Sequence, residues 1–175
     1  MRVISRQRGV SLIEVLVAIV IFSVGVLGLA LLQIKGAQFT KQAGSRSYAI
    51  IQVRSLIDAM RANPTVAVLP QTAADQSAPT ASECPYCFSG STPPTLIDCS
   101  AGCTPQQIAS NDISQWINRL KSAAPGPVGG NLATVTWNGS LGQYQITAHW
   151  SGGSVDTNTT TSANDDLSYT LNYMP

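Results

Sequence analysis

The stretch Arg8-Gly9-Val10-Ser11-Leu12-Ile13-Glu14-Val15-Leu16-Val17-Ala18-Ile19-Val20-Ile21-Phe22-Ser23-Val24-Gly25-Val26-Leu27-Gly28-Leu29-Ala30-Leu31-Leu32 decides how this chain folds. No residue between Glu14 and Lys35 is charged. A bilayer core of about 30 Å takes ~20 apolar residues in a helix, so residues 10–32 are long enough to span it. Arg2, Arg6 and Arg8 precede the run with no acid among them. The positive-inside rule then predicts a cytoplasmic N-terminus and a head on the far side of the membrane. A secretory signal has a shorter apolar core, about 7–15 residues, followed by a small-x-small site. Leu29-Ala30-Leu31 fits that site poorly, so the segment is expected to stay in the product.

Outside this run the composition narrows the choices. With 175 residues the chain has room for one domain of ordinary size. Only 11% of its residues are charged, against about 25% in typical soluble domains. At 44% hydrophobic it has enough apolar material for a core, so disorder is not implied. Ten Lys+Arg nearly cancel nine Asp+Glu, leaving no basic field for nucleic acid. His149 is the sole histidine, which argues against a His-based metal or acid–base centre. No segment carries a nucleophile–base pair, a phosphate loop or a metal triad. The expectation is therefore no catalytic residue, no metal and no cofactor.

Glu14 is the informative residue within the apolar run. A charged side chain costs roughly 2.5–3.5 kcal/mol at the centre of a membrane helix and less near its edge. A carboxylate reaching head groups would be tolerated there. If the chain is cut after Gly9, however, Val10 gains a free amine and Glu14 becomes the fifth residue of the product. Opposite charges then lie one helical turn apart. In a bundle of such helices, Glu14 of one subunit can pair with the Val10 amine of another. Apolar surroundings strengthen that attraction and penalise an unpaired carboxylate. Such a pair would set the axial register of an assembly.

At Arg8-Gly9-Val10-Ser11-Leu12-Ile13-Glu14-Val15-Leu16-Val17-Ala18 the sequence resembles the type IV pilin family and its pseudopilin relatives. The shared signature is a short basic leader ending in Gly, then an apolar helix with Glu at mature position five. The resemblance implies cleavage after Gly9 and N-methylation of Val10 by a prepilin peptidase. Many members begin with Phe, and Val10 departs from that. It further implies an inner-membrane protein with a periplasmic head that moves to the cell-surface pilus. Its partners would be other minor pilins, the major pilin, the inner-membrane assembly machinery and membrane lipid, with no nucleic acid.

Helical character continues beyond Leu32. Ile50, Val53, Ile57 and Met60 are spaced 3, 4 and 3, a one-sided stripe, with Arg46, Arg54, Asp58 and Arg61 largely off it. Asn63-Pro64 is a stop, because Pro disfavours helix in the residue before it. A helix over residues 10–63 would be about 80 Å long, too long for a compact domain of this size, so one end is expected to project. Residues 1–9 are then a cleaved leader and residues 64–175 a periplasmic head.

Residues 64–103 are rich in Pro, Ser, Thr, Ala and Gly and read as an irregular exposed loop, with its cysteine-containing part at 70–103. It contains Cys84, Cys87, Cys99 and Cys103. Three readings compete. A four-thiolate zinc site is conceivable, though the spacing is off the usual ribbon pattern. Cys84-Pro85-Tyr86-Cys87 matches the glutaredoxin tetrapeptide, but that chemistry needs the first Cys at a helix N-terminus. Two structural disulfides in an oxidising compartment fit the even count and the extracytoplasmic head best. Three connectivities remain open.

Thr104-Pro105-Gln106-Gln107 is a helix start, with Thr as N-cap, Pro first and Gln third. Ile113, Trp116, Ile117 and Leu120 give that helix an apolar face, and Ala124-Pro125-Gly126-Pro127 ends it. Leu132–Trp137, Tyr144–Trp150 and Leu167–Tyr173 read as strands, the first two joined by the turn cluster Asn138-Gly139-Ser140-Leu141-Gly142. His149 falls on the polar face of its strand. The expected fold is α+β and type IV pilin-like: a long N-terminal hydrophobic helix packed through its C-terminal half on an antiparallel sheet, with one additional helix. Cys103–Gln107, Asp112–Trp116, Leu120–Pro125 and Thr134–Trp137 also resemble the minor pilins of the family. The functional expectation is a minor pilin, a structural and assembly component that primes the pilus and can sit at its tip. A pseudopilin of type II secretion is the alternative within the class. A membrane-tethered thiol oxidoreductase, resting on Cys84 and Cys87, is the alternative outside it.

Overall fold

A computed structural model describes residues 11–69, 83–123, 126–127, 130–151 and 166–175. The chain divides into two units, Met1–Lys41 and Gln42–Pro175, and helix α1 (Leu12–Ala62) contributes to both. The expected helix start at Val10 lies outside the described residues.

In the first unit α1 is apolar on every side, and its large side chains are exposed, from Leu12 at 77% to Val15 at 47%. The helix begins with the amides of Glu14 and Val15 donating to the Ser11 carbonyl. Ser23 and Thr40 fold their hydroxyls back onto the carbonyls four residues earlier, at 2.7 and 3.0 Å, so neither presents an unsatisfied hydroxyl on this surface. An 18-residue window of α1 reaches a mean hydropathy of 3.0, and by length and composition this helix can cross a membrane.

In the second unit α1 becomes one-sided. Ala49, Gln52, Val53, Leu56, Ile57 and Met60 are buried, while Arg46, Arg54, Asp58 and Arg61 stay exposed. Burying a Leu-sized side chain is worth about 1.5–3 kcal/mol, so this stripe fastens the helix to the head. The helix stops where Pro64 forces Asn63 out of helical geometry (φ −126°, ψ 60°). A single extra turn, α2 (Pro64–Ala67), follows and buries Val66 and Ala67.

Helix α3 (Pro105–Ala123) opens with a reciprocal cap. The Thr104 amide donates to Gln107 Oε1 at 2.8 Å, and the Gln107 amide donates to Thr104 Oγ1 at 3.3 Å. Two amides that the helix cannot satisfy are thereby paired. Its Ile113, Trp116, Ile117 and Leu120 are all buried.

Strands β1 (Phe88–Gly90), β2 (Ala133–Asn138), β3 (Gln143–Ser151) and β4 (Asp166–Tyr173) form one antiparallel sheet in the order β1-β2-β3-β4. Alternation decides the faces. Val135 pairs with Ile146, and Ile146 with Leu171, on the buried side. Thr134, Thr147 and Thr170 occupy the opposite side in one cross-strand row. The β2–β3 turn is closed by the Leu141 amide on Asn138 Oδ1 at 2.8 Å. It ends at Gly142, whose φ of +63° suits a residue without Cβ. Trp137 and Tyr144 pack against each other across the ladder, tilted by 59°, with ring centroids 4.8 Å apart. Side chains of α1, α3 and the sheet join in one hydrophobic cluster, so the expected α+β architecture is the observed one.

Two features of residues 64–103 differ from the sequence reading. The region holds α2 and β1, and it is not simply exposed: Cys84 and Tyr86 are fully buried. An apolar ring inside a Pro/Ser/Thr-rich stretch leaves no periodic trace, so composition alone pointed to a surface loop.

The register makes a sharp prediction. Ile146→Ala empties a fully buried site on β3 and should lower stability by about 2–5 kcal/mol. Gln145→Ala, one residue away on the exposed face, should change it by less than about 0.5 kcal/mol. Chemical denaturation of the two variants checks this, and equal losses would mean the register is wrong.

Candidate functional site

Of the residues that the sequence singles out for processing, Gly9 and Val10 lie outside the described residues. Glu14 is placed in the first turn of α1. Ala18 lies one turn on, and the surrounding Val15, Ile19 and Phe22 are exposed. Among the described residues no salt bridge involves Glu14; the one formed is the exposed pair of Arg61 with Asp58, at 3.2 Å. Within this chain the carboxylate thus stands on an apolar helix without a counter-ion among those residues.

The four cysteines are brought together as local pairs, Cys84 with Cys87 and Cys99 with Cys103. No sulfur among them is left as a thiolate for zinc. The glutaredoxin-like tetrapeptide is followed by strand β1 and not by a helix, and Cys84 is fully buried. Both features are unsuited to a nucleophilic thiol, and they remove the support for the oxidoreductase reading.

Sequence reasoning missed the polar junction around Tyr86. Its hydroxyl donates to Asp112 Oδ2 at 2.8 Å and accepts from Asn63 Nδ2 at 3.3 Å, with the Ala59 carbonyl 3.4 Å away. Asn63 also donates to the Pro105 carbonyl at 2.8 Å. One phenol therefore ties the end of α1 to the first half of α3. Next to it, Arg119 donates to Ser55 Oγ at 3.3 Å, again across α1 and α3, and to Gln115 Oε1 on its own helix at 3.2 Å. Tyr48 adds a bond from its hydroxyl to the Arg119 carbonyl at 3.2 Å. The sequence signal for this site was a tyrosine held between two cysteines, and only the fold brings Asn63 and Asp112 to it. His149 is half-buried on the outward face of β3, its backbone amide bonded to the Leu132 carbonyl at 2.8 Å.

Burial and the bond to the Asp112 carboxylate push the Tyr86 hydroxyl well above the usual phenol range. Tyr86 accordingly stays protonated and can act as the donor. Burial also raises Asp112, although the Tyr86 bond and the Arg119 charge pull the other way. A carboxyl raised in the folded state binds its proton more tightly there than in the unfolded chain. It therefore withdraws stability as pH rises from about 3.9, the unfolded value, through the raised folded value. Asp112→Asn keeps an acceptor for Tyr86 and cannot ionise. Melting curves of the detergent-solubilised protein between pH 3.5 and 7 should show this fall in the wild type and a smaller one in the variant. Parallel profiles would contradict the assignment.

The comparisons with known proteins bear on both halves of the chain. The prokaryotic N-terminal methylation motif matches residues 4–30. The family described as type IV pilin Tt1218 matches residues 31–114, from the apolar helix through Tyr86 into α3. No curated protein and no solved structure matches the chain. The two matches are contiguous, they cover the helix that carries Glu14 and the start of the α+β head, and the chain belongs to the type IV pilin family.

Proposed function

We propose that this pilin is a minor pilin, a structural subunit that joins other pilins in the complex that primes pilus assembly and occupies the pilus tip. The observation that carries the reading is Glu14 on an uncovered apolar helix, inside the segment that matches the N-terminal methylation motif. A carboxylate in such surroundings is costly unless paired. The Val10 amine of a neighbouring subunit, released by cleavage after Gly9, is the partner that the mature chain would offer. Prepilin peptidase cuts after Gly9 and methylates Val10. The three arginines of the leader hold the N-terminus in the cytoplasm, and the disulfide-bonded head lies in the periplasm.

Space along the stem supports packing among sister helices. Gly25, Gly28, Gly36 and Gly44 have nothing within 4 Å of where a Cβ would stand. Small residues at such positions allow the backbones of neighbours to approach closely in a membrane. The head motifs resemble the minor pilin PilV, sometimes described as a type IV pilus modification protein, which favours the minor role. The proposed role is assembly and not catalysis. The major pilin and the inner-membrane assembly machinery complete its set of partners.

Glu14→Ala tests the pairing. The variant should enter the membrane as the wild type does, because it removes a charge from an apolar helix. Its recovery with partner pilins after detergent extraction should fall at least tenfold, about 1.4 kcal/mol of lost association. Co-purification at the wild-type level would overturn the assigned role of Glu14.

A further inference from the structure

The two disulfides close rings of similar size in different surroundings. Around Cys99–Cys103 the chain is on the surface: Cys99, Ser100, Ala101 and Gly102 are exposed. Around Cys84–Cys87 it is in the core, with Cys84 and Tyr86 fully buried and Cys87 half-buried. The Cys87 amide bonds back to the Cys84 carbonyl at 2.9 Å, and Phe88 next to it pairs with Val135 of the sheet. The ring is thus fixed to the sheet on one side, and the residue it holds is the phenol that bridges Asn63 and Asp112.

We propose that the Cys84–Cys87 bond is an oxidation-set lock: closing this ring seats Tyr86 between α1 and α3 and completes the core of the head, whereas Cys99–Cys103 is a local staple without that effect. A buried phenol is stabilised when its hydroxyl finds partners and costs free energy when it does not. Those partners come from two separate segments, so Tyr86 settles only when α1 and α3 are both in place, and the contacts reinforce one another. With the ring open, residues 84–87 sample many shapes in which the phenol points to water. Oxidation removes most of these. The head then passes from a loosened dithiol form to a closed disulfide form, independently of what the stem does in the membrane.

The step balances with a disulfide-donating oxidant. One cysteine thiolate attacks the donor disulfide, forming a mixed disulfide and releasing the first donor sulfur. The second cysteine thiolate attacks the mixed disulfide, closing Cys84–Cys87 and releasing the other donor sulfur. Two electrons pass from the cysteines to the donor, and the two thiol protons leave with its sulfurs. In the closed head Cys84 is shielded, so a reductant must enter through Cys87 or wait for the head to open.

Hydrogen exchange on the full chain in detergent tests the lock, since exchange reports local opening. Cys84→Ser with Cys87→Ser should speed exchange at residues 52–62 and 112–120 at least tenfold. Cys99→Ser with Cys103→Ser should leave those segments within twofold of wild type. Tyr86→Phe should keep both disulfides yet speed exchange in the same segments. Equal effects of the two cysteine pairs, or wild-type exchange in Tyr86→Phe, would overturn the proposal. Should the first variant fail to fold, dithiothreitol titration of the wild type with iodoacetamide trapping decides. Cys99–Cys103 should open first, and Cys84–Cys87 should open only as exchange at residues 52–62 rises. Opening of Cys84–Cys87 with those segments still protected would refute it.

Discussion

An apolar surface that the chain itself leaves uncovered is the constraint on which everything else depends. From Leu12 to Ile34 the large side chains of α1 are exposed on every side of the helix. At roughly 25 cal/mol per Å² of apolar surface in contact with water, such a helix is not stable in aqueous solution. It demands lipid, sister helices or both. Glu14 sits at the start of that surface and brings a second demand, a positive charge in the same apolar setting. In the proposed role, a cleaved and methylated N-terminus on a neighbour answers it. Under that proposal the two demands together make the apolar helix an assembly element.

The head follows a different logic. There α1 is amphipathic, and its buried stripe from Ala49 to Met60 joins one core with α3 and the sheet. The apolar contacts are reinforced by few polar ones, concentrated where α1 ends. Asn63, forced out of the helix by Pro64, uses its side-chain amide to reach Pro105 and Tyr86. Tyr86 reaches Asp112 in turn. The stop signal of the long helix and the tie that holds α3 against it are therefore the same residue. Asn111 has a comparable role further out, holding the amide and the carbonyl of Ile97 at 2.8 and 2.9 Å.

Much of this was legible in the residues. The limits of α3 follow from the Thr104 to Gln107 cap and the 3-1-3 apolar spacing, both local patterns with a direct physical cause. Strands β3 and β4 follow from alternation, β2 from its run of β-formers, and the β2–β3 turn from the cluster Asn138 to Gly142. The family was legible because Gly9 and Glu14 stand at fixed positions around an apolar run. What escaped is equally physical. Strand β1 has three residues, too few for a period to show. Helix α2 begins with the proline that reads as a stop. The burial of Tyr86 depends on Asn63 and Asp112, which lie 23 and 26 residues away in the chain, and no local rule connects them. The cysteine pairing escaped because spacing alone leaves three connectivities open.

The central claim is that the working protein keeps its apolar stem and loses only its basic preface. Intact-mass measurement of the protein purified from the membrane tests it in one spectrum. The account predicts a chain that begins at Val10, carries one added methyl group, and is four hydrogens lighter than its fully reduced form. A mass that still includes residues 1–9, or one that lacks the apolar run altogether, would contradict it.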